Sequence, residues 1–442
     1  MRKLQTFYIK TYGCQMNELD SEIMAGQLEN RGLVYTDDEQ AADLLLFNTC
    51  SIRDLAERKA MGKLGQLGKL GRKTQHHPII GVTGCMANAK KDSLFQKLPH
   101  IDFVLGTNNI HDLNNILDEV LSTGKHAFRT DDYFTQELDY INARRDDKVK
   151  AHVSIIRGCD KYCTYCVVPY TRGTEVSRHP DSIIEECIQL AHKGYKEVTL
   201  LGQNVNSYGK DQPEWGALFH DLLYRIDKIP GIERVRFMTS HPVDITYDLM
   251  TAIRDLRTLC EFVHFPMQSG SNRILKKMHR IYTIEQYLEK VTMLRSLVPD
   301  VSLGTDIIVG FPTETEAEFM ETYNLIKQLE FSVAFLFSYS PRKGTPAMRW
   351  QDDIPEEVKE ERLHRLIDLQ EEISMKHRQT ILEKDVEILV ESKSHRDDGL
   401  LKGRTRCWKN VLFRGEESLI GTLQRVHIHS YSNQTLIGER VV

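Results

Sequence analysis

Cys159, Cys163 and Cys166 stand in the run RGCDKYCTYCVVPY, spaced C-x3-C-x2-C. Three thiolates on one short loop can hold three corners of an iron–sulfur cube and leave the fourth iron without a protein ligand. Such an iron is open to a small molecule and can pass it an electron. A closed zinc site wants four ligands, commonly as two C-x2-C or C/H pairs. His152 and His179 flank the loop, but neither sits at a ligand-like spacing. The spacing favours a cluster over zinc or plain buried cysteines.

A second trio is dispersed. Cys14, Cys50 and Cys85 each follow an apolar run (residues 6–12, 44–47 and 79–82) that reads as a buried parallel strand. Ligands of open α/β sheets gather beyond the carboxyl ends of the strands. Three cysteines at three such ends can converge on one point and again leave a metal position open. The competing reading treats each as a small buried hydrophobe. Cys187, Cys260 and Cys407 stand alone, and Cys187 falls on an apolar helix face.

The elements that must position these residues fall into three blocks. With 442 residues the chain exceeds what one core serves and predicts two to four domains. Residues 1–125 alternate strand and helix, with helical stripes at 17–30 and 53–69, and predict an α/β layer domain. Residues 126–148 are polar and charged and read as a linker. From 149 to 379, six apolar strands are expected (151–156, 197–201, 234–238, 262–265, 304–309 and 333–337), with helices between them. Six parallel β/α units predict a partial barrel of the TIM type. A long charged helix over 355–383 leads out of it. Residues 380–442 carry short β runs that fit a small antiparallel barrel of the oligonucleotide-binding kind.

The cysteine loop follows the first barrel strand, where barrel chemistry belongs. The neighbouring strand ends are small or polar: Gly202, Gln203 and Asn204; Ser240; Gln268 and Ser269; Asp306. Together they outline a pocket for a polar ligand over the barrel mouth. In the C-terminal block Lys402, Arg404, Arg406 and Lys409 surround Trp408 with no acid among them. Cations for phosphate and an aromatic for stacking suit single-stranded RNA, although a solvated basic face has the same composition. Arg58, Lys59, Lys63, Lys69, Arg72 and Lys73 form a second basic stretch. The formal net charge of −5 argues against indiscriminate nucleic-acid binding. No run is long enough for a membrane helix. No export signal is recognisable at the N-terminus, so a reducing, cytoplasmic setting is expected, where cysteines bind metal rather than form disulfides.

These features resemble the radical S-adenosylmethionine superfamily. The three-part layout is similar to its methylthiotransferase family, which ends in a TRAM β-barrel. The runs KTYGCQMNELDS, NTCSIR, RGCDKYCTYCVVPYTRG, LLGQNVNSYG, FPMQSGS, GTDIIVGFPTET and FSYSPRKGTPA resemble the MiaB-type tRNA branch most closely. The resemblance implies two [4Fe-4S] clusters, one on Cys159, Cys163 and Cys166 and an auxiliary one on Cys14, Cys50 and Cys85. It implies S-adenosylmethionine as methyl donor and as radical source, and a methylthio group added to carbon 2 of an isopentenylated adenosine beside the anticodon. The implied partners are a tRNA anticodon stem-loop, a flavodoxin- or ferredoxin-type electron donor and a sulfur donor, with the enzyme a monomer away from membranes. The alternatives are the same machinery acting on threonylcarbamoyl-adenosine or on a ribosomal protein, and a non-catalytic RNA-binding protein with structural metal.

Overall fold

The computed structural model describes residues 4–51, 54–70, 77–131, 138, 140–394 and 399–441. Its first sheet contains β1 (Thr6–Thr11), β2 (Val34–Tyr35), β3 (Leu44–Thr49), β4 (Ile79–Gly84), β5 (Phe103–Leu105) and β6 (Ala127–Arg129). The order is β2-β1-β3-β4-β5-β6, and every pair is parallel. Every residue of β3 and β4 is buried. Helices cover both faces of these strands, which is why their sequence is continuously apolar rather than alternating. Leu19, Ile23 and Leu28 of the Gln15–Asn30 helix pack on one side, with Leu113 and Ile116 of Leu113–Thr123. Ala60 and Leu64 of Asp54–Leu70 pack on the other, with Met86 of Cys85–Lys90.

The expected linker is corrected here. Its first residues form β6, and Leu138, Tyr140 and Ala143 join the core of this sheet. An edge strand buries few side chains, so its composition reads as polar.

The central block holds β7 (Lys150–Ser154), β8 (Ile156–Arg157), β9 (Val176–Ser177), β10 (Glu197–Leu201), β11 (Arg234–Phe237), β12 (Phe262–His264), β13 (Ser302–Val309) and β14 (Val333–Ser338). Two parallel ladders, β7-β10-β11 and β12-β13-β14, meet at a bridge between Val235 and Leu259. Ala151, Val153, Val198, Leu200, Val235, Phe237, Val263 and Leu303 share one core with the surrounding helices. Strand side chains alternate between faces, so His152, Thr199, Arg236 and His264 belong to the opposite, inner face. The six expected strands are present, but the first is interrupted. Ile156–Arg157 leaves the parallel row and pairs antiparallel with Val176–Ser177, which gives the cysteine loop a two-stranded base.

The Glu356–Gln379 helix leads to β15 (Lys384–Lys393), β16 (Leu400–Thr405), β17 (Asn410–Arg414), β18 (Leu423–Ser432) and β19 (Thr435–Arg440). These close a barrel in the order β15-β16-β17-β19-β18. The expected all-antiparallel pattern needs one correction, because β17 and β19 run parallel. After β17 the chain crosses to the far side of β15 to form β18. The following hairpin then brings β19 back beside β17 in the same direction. Ile388, Val390, Leu401, Val411, Phe413, Val426, Ile428 and Leu436 fill its core. Among the described residues, no helix is long and apolar enough to cross a membrane.

Candidate cluster sites and cofactor pocket

The dispersed cysteines sit just past the ends of β1, β3 and β4, which are neighbours in the sheet. Thr49 pairs with Gly84, so Cys50 and Cys85 leave adjacent strands at one level. Two glycines permit the close approach. A Cβ on Gly84 (φ 90°) would lie 2.3 Å from the Thr49 carbonyl oxygen, and one on Gly13 (φ 144°) would lie 2.9 Å from the Cβ of Cys50. Cys50 and Cys85 are buried, and Cys14 is half-buried. Asn17 ties the group together: its Nδ2 donates to Asn48 Oδ1 and to the Thr49 carbonyl, each at 3.0 Å. Cys14 Sγ lies 3.4 Å from Asn17 Oδ1.

A cation from the central block completes this site. Arg172 stands beside the thiols of Cys85 and Cys14. Burial pushes the Cys85 thiol up, and the guanidinium only partly opposes it. Arg172 Nη2 donates to Asp20 Oδ2 at 3.0 Å and to Asn17 Oδ1 at 3.1 Å. The other oxygen of Asp20 accepts from Arg157 Nη2 at 2.9 Å. Neither Arg172 nor Asp20 announces itself in the sequence, since they are 152 residues apart.

The second site is the loop of Cys159, Cys163 and Cys166. Gly158 (φ 79°) starts it, and a Cβ there would lie 1.8 Å from the Thr174 carbonyl oxygen. The Gly158 amide donates to Gln203 Oε1 at 2.6 Å and the Cys159 amide to the Gly173 carbonyl at 3.1 Å. Thr164 holds the far side, with its amide on the Met278 carbonyl (3.1 Å) and its hydroxyl on that of Lys277 (2.9 Å). Arg280 Nη1 reaches Cys163 Sγ at 3.3 Å, and its Nε donates to the Tyr282 hydroxyl at 3.1 Å. Burial pushes the thiols of Cys159 and Cys166 up to about 12. A metal centre would have to displace those protons. Tyr165 packs edge-on to Phe311, whereas Tyr162 and Tyr170 pair on the exposed surface.

Each donor set fits an iron–sulfur cube: three thiols, no fourth protein ligand in the local sequence, and a buried guanidinium beside at least one sulfur. Among the described residues, no three His, Cys, Asp or Glu side chains gather around a single-ion position.

Several polar atoms at or next to the strand ends have no protein partner. Asn204 Oδ1, Ser240 Oγ and His241 Nε2 are buried with no hydrogen-bond partner. Asn204 Nδ2 donates to Asp244 Oδ2 at 2.7 Å. Burial alone would raise the Asp244 carboxyl, but hydrogen bonds from Lys161, Lys210 and Asn204 outweigh it and hold it at about 2. Gln268 takes a left-handed conformation (φ 69°) to pair with β13, its amide donating to the Asp306 carbonyl at 2.8 Å. Ser269 is fully buried and accepts from the Ser271 amide at 3.2 Å. Asp306 Oδ1 lies 3.2 Å from His264 Nε2. A Cβ on Gly202 would strike Ile156 Cγ2 at 2.4 Å, so its role in the turn is close packing.

The basic residues of the small barrel are divided. Arg406 grips Glu261 (2.7–3.0 Å) and the Leu259 carbonyl (2.6 Å). Arg404 lies over the Trp408 ring and 3.1 Å from Glu391. Trp408 stacks on Phe262 with centroids 5.4 Å apart, and Arg236 covers its ring as well. Arg236 in turn donates to the carbonyls of Thr405 and Arg406, each at 2.7 Å. Arg404, Arg406 and Trp408 form a seam against β11 and the start of β12, at the opposite end from the cysteine loop. Lys402 and Lys409 are half-buried. In the other basic stretch Arg58 and Lys59 are exposed, and Lys63 pairs with Glu39 at 2.8 Å. Arg72, Lys73 and the side chain of Lys69 lie outside the described residues.

Comparison with known proteins adds the following. Residues 6–106 match the Uncharacterized protein family UPF0004, and residues 153–326 match the Radical SAM superfamily. The chain is 74% identical over 439 residues to a tRNA-2-methylthio-N(6)-dimethylallyladenosine synthase of Protochlamydia amoebophila, covering 99% of this chain and 97% of that one. It is 48% identical to the protein of the same name from Thermoanaerobacter pseudethanolicus, covering 98% and 92%. Among solved structures it is similar in fold to the radical S-adenosylmethionine methyltransferase TsrM of Kitasatospora setae (TM-score 0.57, 14% identity, 78% and 74% covered). It is similar in the same sense to the cobalamin-dependent radical enzyme OxsB (TM-score 0.54, 14% identity, 85% and 56% covered).

Proposed function

Because the chain belongs to the family of tRNA-2-methylthio-N(6)-dimethylallyladenosine synthases, we propose a division of labour between its two cysteine trios. The chain is a radical S-adenosylmethionine transferase that methylthiolates N6-dimethylallyladenosine in tRNA, and it uses S-adenosylmethionine and a [4Fe-4S] cluster. In our reading Cys159, Cys163 and Cys166 hold that cluster, and Cys14, Cys50 and Cys85 hold a second one. What supports the second cluster is that three thiols follow neighbouring strand ends, two of them beside the guanidinium of Arg172.

With its cofactor bound, the first cluster supplies a one-electron cleavage and a carbon radical able to take hydrogen from an unactivated ring carbon. The protein's part is positioning and exclusion of water. Arg280 and Thr164 hold the loop from one side, and Gln203 holds it from the other. Asn204, Ser240 and His241 offer buried polar atoms to the cofactor. Gln268, Ser269 and Asp306 complete the rim. Phe311, Tyr165 and Tyr339 close one flank with apolar surface.

For tRNA we assign backbone contacts to Lys402 and Lys409 on the small barrel and to Arg58 and Lys59 on the first domain. Arg404, Arg406 and Trp408 are assigned to the seam instead. In this reading residues 149–379 carry the radical chemistry and residues 380–442 the RNA-binding barrel. The chain works as a cytoplasmic monomer with a flavodoxin- or ferredoxin-type reductant and a separate sulfur donor.

The test is anaerobic reconstitution with iron and sulfide, followed by dithionite, S-adenosylmethionine and an isopentenylated anticodon stem-loop. About eight irons per chain are expected, as two cubes, with release of 5′-deoxyadenosine and a methylthiolated product. Cys163→Ala should abolish the deoxynucleoside and leave the other cube loaded. Deoxyadenosine from that variant, or a single cube in the wild type, would overturn the assignment.

A further inference from the structure

We propose that Arg172 is a positioning residue whose charge raises the electron affinity of the cluster on Cys14, Cys50 and Cys85. The inference rests on the assignment of that trio given above.

The geometry starts in the segment that leaves the radical loop. The Val168–Arg172 helix starts two residues after Cys166. The Thr171 carbonyl accepts from Asn88 Nδ2 (2.7 Å) and from Thr107 Oγ1 (2.9 Å), both in the first domain. Asn88 belongs to the helix that opens with Cys85. The chain is therefore pinned across the domain boundary one residue before Arg172. The side chain then enters the first domain, where the whole residue is only 3% exposed.

The buried charges give the role. Arg172 shares the carboxylate of Asp20 with Arg157, and all three are buried. Arg172 Nη1 is also buried without a hydrogen-bond partner. A buried cation with an idle donor favours the arrival of a negative group. Three thiolates carrying a cluster are such a group, and Arg172 already stands beside two of the three sulfurs. A nearby cation and hydrogen bonds to sulfur both stabilise the more negative, reduced cube. Bonding to Asp20 and Asn17 keeps the guanidinium from swinging away.

The experiment uses the full chain with the radical loop emptied (C159A/C163A/C166A), so that one cube remains. Ti(III) citrate supplies one electron per cube, no proton is transferred, and the reduced cube is followed by electron paramagnetic resonance. In Arg172→Gln the oxidised-to-reduced ratio at fixed ambient potential should rise about tenfold, a shift of about 59 mV to more negative potential for one electron. Arg172→Lys, which keeps the charge, should recover most of that shift. Equal midpoints in the Arg172→Gln variant and its parent, both with full iron, would overturn the proposal. So would a shift as large in Arg172→Lys as in Arg172→Gln, or loss of the cube in both, since either makes Arg172 a scaffold only. If the emptied-loop parent itself carries no cube, the assignment of the trio fails first, and the proposal falls with it.

Discussion

Asp20→Asn is the sharpest probe of how the first domain is held to the central one. Asp20 faces Arg157 at 2.9 Å and Arg172 at 3.0 Å, and all three side chains are at most 7% exposed. At roughly 3 Å and an effective dielectric near 20, each attraction is about 5 kcal/mol before desolvation is counted. Desolvation consumes most of that, but removing one partner strands the others. The net cost of breaking a buried pair this way is about 3–5 kcal/mol. Asparagine keeps one acceptor oxygen and loses the charge, so the lower end of that range is expected. At roughly 2–4 °C per kcal/mol the transition should fall by about 10 °C. Scanning calorimetry of the metal-free chain would read it. A second variant, Asp20→Asn with Arg157→Met, removes a cation along with the anion. It should be less destabilised than the sum of the single changes by about 2 kcal/mol. If Asp20→Asn melts within about 1–2 °C of the parent, or the double change is additive, the buried triad does not hold the domains together.

Other expectations test separate parts of the molecule. Gly84→Ala puts a Cβ 2.3 Å from a backbone oxygen at a positive φ, so it should cost at least about 1–3 kcal/mol and halve the iron bound after reconstitution. Trp408→Ala removes the aromatic that Phe262, Arg236 and Arg404 surround. It should weaken docking of the small barrel by about 2 kcal/mol or more, read as faster release of that barrel by limited proteolysis, with deoxyadenosine formation retained. Burial, then Arg145 and Lys150, pull the His152 imidazole down to about 4 from 6.5. The unfolded chain binds the proton more tightly between those values, so this contribution is complete above about pH 6.5 and is lost as pH falls to about 4. It amounts to about 3 kcal/mol, and His152→Gln should flatten the stability profile by that amount in urea melts across this window.

Much of the scaffold was legible in the sequence because burial on both faces leaves continuous apolar runs. That signal located β1, β3 and β4 and all six strands of the central row. It also put Cys14, Cys50 and Cys85 at strand ends. It failed at β6, where an edge strand buries too few side chains to stand out from the charged segment around it. It failed again at the parallel β17–β19 pair, because strand composition carries no direction. The basic run around Trp408 shows a different limit. A charge run is judged by its sequence neighbours, but the acids that pair with Arg404 and Arg406 are Glu391 and Glu261. Likewise nothing in VVPYTRG singles out Arg172, because its partner Asp20 lies on a helix of another domain.

The environment of Trp408 has a practical consequence. The chain has three tryptophans, and only this one lies in the seam, flanked by a phenylalanine ring and two guanidinium groups. Its indole emission should therefore differ from that of Trp215 and Trp350. Replacing those two with phenylalanine would turn intrinsic fluorescence into a dye-free gauge of whether the C-terminal barrel is seated, in real time and during turnover.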